Sequence, residues 1–160
     1  MNINKESTQP KGLQENCLNK KVGIYMFDSI KDHCTLYKVQ RQSILDAEKR
    51  MNVKFPKDLF DFYVNYGYGF VDNEEGAFNR IMDPQSCADI RLREDPYTYD
   101  PDLEMYEEFE RDAILFFEVV EGVYMSMGFE DGKIYYANRV VADSLMEFLT
   151  KIKNPSYWTY

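Results

Sequence analysis

The sequence contains few residues that could act as a nucleophile or as its general base. It has three cysteines, Cys17, Cys34 and Cys87, and a single histidine, His33. A cysteine nucleophile needs a histidine at hydrogen-bond distance, and the side chains of neighbours such as His33 and Cys34 diverge along the chain. Nothing in the spacing supports a pairing of His33 with Cys87. We therefore predict that the protein has no catalytic residue and is not an enzyme.

Metal and nucleotide sites are not indicated either. A structural zinc ion needs four Cys or His ligands at short spacings, whereas the cysteines lie far apart and no Cys-x-x-Cys occurs. The 28 acidic residues lack the Asp-x-(Asp/Asn)-x-(Asp/Asn)-Gly pattern of a calcium loop. Gly67-x-Gly69 follows a predicted helix rather than a strand, which argues against a phosphate-binding loop. We predict neither a metal nor a cofactor.

The feature that does suggest a function is a segment of dense negative charge, residues 94–112, which reads EDPYTYDPDLEMYEEFERD. It holds nine acidic residues and one basic residue, Arg111, so it carries nearly all of the chain's net charge of −9. Acidic side chains steer a basic partner, and aromatic side chains supply binding energy in protein interfaces. The alternative is a solvated acidic loop that binds nothing. The predicted partner-binding residues are Tyr97, Tyr99, Asp100, Asp102, Glu104, Tyr106, Glu107 and Glu108.

Composition restricts the class of partner and the compartment. A net charge of −9 is repelled by nucleic acids and anionic membranes, which attract proteins through Lys and Arg, so we expect neither as a partner. The polar N-terminus lacks the apolar run of a signal peptide, and no apolar stretch approaches the length of a membrane span. An odd number of widely spaced cysteines is typical of reduced thiols. We predict a cytoplasmic protein that is a monomer or at most a weak homodimer.

The length of 160 residues predicts one domain. Residues 1–20 are polar and are expected to form a flexible leader, and residues 21–160 to form the single domain. A β-prone stretch at 22–27 is a candidate strand. The aromatic residues of the tail, 156–160, are expected to fold back onto the domain.

Apolar spacing predicts three helices, at 43–51, 59–66 and 144–152, with Ser43 and Ser144 as N-caps. Short strands are predicted from β-prone runs bounded by turn residues. Residues 67–80 are expected to be mostly loop, and 85–93 show no decisive pattern. This order of elements predicts an α+β fold in which an antiparallel meander sheet is flanked by helices. The predicted helix faces are Ile44, Ala47 and Met51; Leu59, Phe62, Tyr63 and Tyr66; and Leu145, Phe148, Leu149 and Ile152. The predicted strands are 80–82, 113–119, 123–127 and 133–136.

Four stretches, taken in their order and spacing, resemble the SUKH superfamily, which includes the yeast cell-wall-synthesis regulator domain. The resemblance covers about residues 40–152. Two departures from the family pattern are a looser helix stop at 65–69 and Leu145 in place of the usual aromatic residue. The four stretches are the helix 44–51, Phe55-Pro56-Lys57-Asp58-Leu59-Phe60-Asp61-Phe62, the strand pair ending near 132–135, and Val141-Ala142-Asp143-Ser144-Leu145-Met146-Glu147-Phe148-Leu149.

The resemblance implies a SUKH-like single domain and, for bacterial members, the role of an immunity protein in a polymorphic toxin system. Such a protein binds and neutralises a cognate toxin, often a nuclease. We therefore predict a basic, nuclease-like toxin as the partner. The family has no shared catalytic residues to carry over. The alternative that the resemblance leaves open is a general protein-interaction or scaffold domain in cell-wall or signalling regulation.

Overall fold

The computed structural model describes residues 31–71, 79–120 and 122–152. The predicted leader, the candidate strand at 22–27 and the tail from residue 153 onward lie outside these ranges, so the domain boundary at residue 20 stays a prediction. The compact unit that carries the sheet is His33–Tyr160. Its elements are β1 (Cys34–Tyr37), α1 (Arg41–Met51), α2 (Lys57–Asn65), β2 (Tyr68–Val71), β3 (Arg80–Ile81), α3 (Pro84–Leu92), a 3₁₀ helix (Pro101–Tyr106), β4 (Ala113–Val120), β5 (Val123–Gly128), β6 (Ile134–Tyr136), β7 (Arg139–Ala142) and α4 (Leu145–Lys151), with a 3₁₀ turn at Lys31–His33 before β1.

The strands form one antiparallel sheet in the order β1-β2-β3-β4-β5-β6-β7. Each strand therefore pairs with its neighbour in sequence, and the predicted α+β fold with a meander sheet is confirmed. The four predicted strands correspond to β3, β4, β5 and β6, whereas β1, β2 and β7 were not predicted. The longest pairing joins β4 to β5, with Ala113 opposite Gly128 and Leu115 opposite Ser126.

The prediction of a loop at 67–80 is wrong for Tyr68–Val71, which pairs with β1 as strand β2. The glycines that suggested a loop are required here by the close approach of the two backbones. A Cβ atom on Gly67 would lie 1.9 Å from the carbonyl oxygen of Tyr37, and one on Gly69 would lie 2.2 Å from that of Thr35. Glycine within a strand often marks such an approach.

Helix α1 begins two residues before the predicted start, with Gln40 rather than Ser43 as its N-cap, so the predicted Ser43 cap is wrong. The undecided stretch at 85–93 is helix α3. Its N-cap is Asp83, whose side chain accepts hydrogen bonds from the backbone of Gln85 and Ser86 at 3.0 Å. Such a cap satisfies backbone donors that a helix start otherwise leaves unpaired.

At the last helix the prediction of an N-cap at Ser144 is confirmed. Its Oγ accepts from the backbone of Glu147 at 3.2 Å, and the Glu147 carboxylate accepts from the backbone of Asp143 at 2.8 Å. The predicted helix faces are buried, except that Tyr66 is half-buried. Local periodicity therefore located all three predicted helices and their packing faces.

Two different elements cover opposite faces of the sheet. The ring of Phe148 on α4 packs edge-to-face on Phe117 at 4.9 Å, and Phe117 lies opposite Met125. Tyr106 of the 3₁₀ helix packs on Tyr124. Because successive residues of a strand point to opposite faces, α4 and the segment 94–112 lie on opposite sides of β4 and β5. The acidic segment therefore covers one face of the sheet at β4 and β5, as α4 covers the other.

Candidate partner-binding site

The acidic segment 94–112 is built around the 3₁₀ helix Pro101–Tyr106. Asp100 caps its start, since the Asp100 carboxylate accepts from the backbone of Asp102 at 3.0 Å. A 3₁₀ helix has three residues per turn, so every third residue lies on the same side. Leu103 and Tyr106 form the inner row and are buried. The two remaining rows face outward, which exposes most of the acidic side chains.

Tyr106 was predicted to contact a partner, and the structure places it in the core instead. Its side chain is 1% exposed, and its hydroxyl accepts a hydrogen bond from the backbone N–H of Tyr124 at 3.0 Å. The two rings meet edge-to-face at 5.8 Å. The position three residues after Leu103 puts Tyr106 on the inner row, so its role in this structure is to hold the segment on the sheet.

Three arginines fix the ends of the segment. Arg93 binds the Glu110 carboxylate at 2.6 Å, and Arg91 donates to the backbone carbonyl oxygen of Glu110 at 2.6 Å. At the other end, Arg50 of α1 binds Glu94 at 2.6 Å. Glu94 and Glu110 are therefore neutralised within the protein. Charge-assisted pairs of this kind hold a surface segment in one geometry.

Other carboxylates of the segment have no such partner. Within the described residues, five acidic side chains of the segment form no ion pair. Tyr99 is 93% exposed and Met105 is 49% exposed, so apolar surface lies among these charges. The sequence reasoning missed Met105, although the three-residue period places it on the same outer row as Asp102 and Glu108. The exposed acidic side chains that form no ion pair are Asp95, Asp102, Glu104, Glu107 and Glu108.

The remaining two predicted residues are less accessible. Tyr97 is half-buried, interacts with Arg80 and Glu118, and has its pKa raised chiefly by burial. Asp100 is half-buried and caps the 3₁₀ helix. The prediction that the eight residues bind a partner stays untested as a whole. Its exposed members are Tyr99, Asp102, Glu104, Glu107 and Glu108.

A groove adjoins the segment, and sequence reasoning missed it. Its volume is about 370 Å³. One wall comes from the end of the acidic segment and the other from β5, β6 and the turn between them. We call it the β5–β6 groove. Its lining includes Glu108, Phe109, Ser126, Glu130, Asp131 and Tyr135.

Comparison with known proteins decides the family. The SUKH_6 family model, described as SMI1-KNR4 cell-wall, matches residues 41–149. The chain belongs to the SUKH family. The match runs from the first residue of α1 into α4, so it includes the acidic segment and the β5–β6 groove. The predicted family membership is thereby confirmed.

A curated relative extends this match. The SUKH chain is 43% identical to "Immunity protein YxxD" of Bacillus subtilis (strain 168), in an alignment that covers 76% of this chain and 86% of that protein. Identity at this level over most of both chains indicates a shared fold along nearly the whole domain.

The thiol of Cys87 in the SUKH domain does not form a nucleophilic site. Cys87 is fully buried beside the hydroxyl of Tyr63 at 3.4 Å, and burial raises the pKa of its thiol to about 12. The thiolate is the reactive form, so Cys87 is inert at neutral pH. His33 is exposed. That the protein is not an enzyme stays a prediction.

Among the residues of the SUKH domain that the structure describes, no group of three or more His, Cys, Asp or Glu side chains could hold a metal ion. Among the same residues, no helix is long and apolar enough to cross a membrane. The carboxylates of the acidic segment, although numerous, therefore do not come together as a metal site within the described residues.

Proposed function

We propose that this protein is an immunity protein that binds and neutralises a cognate toxin. The observation that carries the proposal is the 43% identity to an immunity protein over most of both chains. The partner is basic and nuclease-like, the complex forms in the cytoplasm, and it contains one copy of each protein. A nuclease active site is positively charged because it holds phosphates. The same positive charge attracts an acidic inhibitor.

The exposed part of the acidic segment supports this partner chemistry. Its carboxylates project from a segment that is anchored on the sheet by Leu103 and Tyr106. Because the backbone is already ordered, binding costs less conformational entropy than the ordering of a free loop would. Tyr99 supplies an exposed ring of the type that forms energetic centres in interfaces. The binding surface we propose is Tyr99, Asp102, Glu104, Glu107 and Glu108, with Asp100 and Tyr97 beneath it.

The direct test is co-expression with the toxin-like protein encoded next to this gene. An immunity protein is expected to co-purify with that neighbour in a one-to-one complex and to restore growth of cells that express it. Neither binding nor protection would contradict the proposal. Binding to a cell-wall or signalling protein without protection would favour the alternative, a general interaction domain.

The site is tested by charge reversal. We expect the double variant Glu104→Lys, Glu107→Lys to slow association with the toxin by roughly tenfold or more at low salt, and to weaken its salt dependence, because steering charges act mainly on the association rate. The matched control reverses Asp46 and Asp58, which are exposed on α1 and α2. Equal association rates for the two double variants would move the interface away from the acidic segment.

A further inference from the structure

The β5–β6 groove is chemically unlike the outer surface of the acidic segment. Its lining combines carboxylates, aromatic side chains and the hydroxyl of Ser126, a buried residue. We propose that this groove receives one arginine side chain of the toxin. The proposal rests on the proposed function for the identity of the partner. The chemistry of the occupant is argued from the groove alone.

The floor of the groove is formed by Ser126. This side chain is 3% exposed and lines the groove from the middle of β5. No described residue forms a hydrogen bond with its hydroxyl. The hydroxyl is not one of the fully enclosed, unpartnered polar atoms of the described residues, so it opens into the groove and is accessible to water there. A donor that enters the groove replaces that water, so Ser126 offers an acceptor to a ligand.

Asp131 is a carboxylate held in place before any ligand arrives. One of its oxygens accepts from the Tyr135 hydroxyl at 2.5 Å, and the other accepts from the backbone of Lys133 at 3.0 Å. The absence of a side chain on Gly128 makes room for it, since a Cβ atom there would lie 2.2 Å from Asp131 Oδ1. Each carboxylate oxygen has a second lone pair, which remains for a ligand.

The charge of the groove selects a cation. Its charged lining residues are all acidic. Lys133 forms an ion pair outside the groove, with Asp143 at 3.3 Å, whereas Arg111 pairs with the lining residue Asp112 at 3.0 Å. Asp112 is thus neutralised, and the lining carboxylates that remain for an incoming cation are those of Glu108, Glu130 and Asp131. The acidic lining residues are Glu108, Asp112, Glu130 and Asp131.

The walls favour arginine over lysine. Phe109 and Tyr135 are half-buried aromatic side chains that line the groove. A planar guanidinium stacks on aromatic rings and presents five donors in a fixed fork, whereas an ammonium is a compact, strongly hydrated point charge. A guanidinium therefore has enough donors to bond to the Ser126 hydroxyl and to a rim carboxylate together. The volume of about 370 Å³ lies in the range of ordinary ligand pockets.

The test uses the intact ¹⁵N-labelled protein and two probes, N-acetyl-arginine amide and N-acetyl-citrulline amide. Citrulline has the same shape as arginine but no charge. We expect saturable chemical-shift changes at the backbone amides of the groove with the arginine probe, and much smaller ones with the citrulline probe. Shift changes that are absent from the groove, or that are equal for the two probes, would overturn the proposal.

Two variants locate the binding atoms. Ser126→Ala is expected to weaken binding of the arginine probe by about tenfold, as loss of a hydrogen bond to a charged group does. Glu130→Gln, at the exposed rim, is expected to weaken it about two- to fivefold. Glu104→Gln is the control, because Glu104 lies in the acidic segment outside the groove. An unchanged dissociation constant in both groove variants, with native amide spectra, contradicts the proposed contacts.

The outcomes separate this proposal from the proposed function. If the neighbouring toxin does not bind but the arginine probe does, the groove stands as an arginine site and the immunity role fails. If the toxin binds and the arginine probe does not, the immunity role stands and the groove proposal fails.

Discussion

Removal of one oxygen atom from Tyr106 or from Tyr99 gives a sharp test of how the acidic segment is built. The two tyrosines lie seven residues apart in the same segment, and Tyr→Phe removes the same atom at each. The Tyr106 hydroxyl is buried and accepts from the backbone N–H of Tyr124. Tyr99 is 93% exposed. The two variants should therefore differ in stability.

The magnitude follows from what each hydroxyl leaves behind. Tyr106→Phe leaves the buried N–H of Tyr124 without its acceptor, and an unsatisfied buried donor costs roughly 1–3 kcal/mol. Tyr99→Phe changes an exposed position and should alter the free energy of unfolding by less than about 0.5 kcal/mol. For a domain of this size, 1 kcal/mol lowers the Tm by about 2–4 °C. The difference between the two variants is thus several degrees.

The assay is equilibrium urea unfolding followed by far-UV circular dichroism, with thermal unfolding in parallel. A lower midpoint at an unchanged m-value shows that stability alone has changed. Toxin binding by correctly folded Tyr106→Phe should be near that of the unchanged protein, since the ring is buried. If the two variants unfold at the same urea concentration, the hydrogen bond between Tyr106 and Tyr124 does not hold the segment on the sheet.

Two further predictions use the titratable groups. The Asp131 carboxylate raises the pKa of Tyr135 to about 12, so Asp131→Asn should lower it toward the ordinary value of 10.0 in a titration followed by absorbance at 295 nm. The pKa of Tyr135 is raised in the folded state, so the stability that the bond to Asp131 contributes is present below pH 10.0 and is lost as pH rises through about 12. If Asp131→Asn leaves the titration of Tyr135 unchanged, the bond between the two side chains is not formed. In a Cys17→Ser, Cys34→Ser background, Cys87 should react with an aromatic disulfide reagent only as the protein unfolds in urea, because its thiol is buried. Rapid modification of the native protein would place Cys87 at the surface.

The helices could be predicted from the sequence because their signals are local. Ile44, Ala47 and Met51 recur at helical spacing, and all three are buried on α1. The N-cap before α4, Ser144, was predicted correctly for the same reason, since its Oγ and the backbone N–H of Glu147 that donates to it lie three residues apart in the chain. Strand β2 was missed because its defining contact is with β1, more than thirty residues earlier in the chain. The glycines there serve a tertiary approach that no local pattern records.

The charge pattern of the sequence located the candidate site, but it did not identify which residues of the site are accessible. A run of acidic residues and tyrosines marks the segment, and the spacing of Leu103, Tyr106 and Phe109 indicates one inward side in a 3₁₀ helix or an α-helix alike. The buried Leu103 and Tyr106 agree with that spacing, whereas the prediction of Tyr106 as a partner-binding residue does not. The β5–β6 groove is harder still to predict. Ser126 and Tyr135 line one groove with Phe109 only because the sheet register pairs β5 with β6 beside the end of the acidic segment.

The arginine pairs explain how a segment with so many carboxylates stays folded on the sheet. Like charges repel, and a surface with this charge density opposes its own compaction. Arg93 and Arg50 offset the repulsion at the two ends, where Glu110 and Glu94 lie. Between these pairs the buried Leu103 fixes the backbone by apolar contact. The unpaired carboxylates are thereby presented in a fixed arrangement, so under the proposed function a basic partner would bind them without the entropy cost of first ordering a loop.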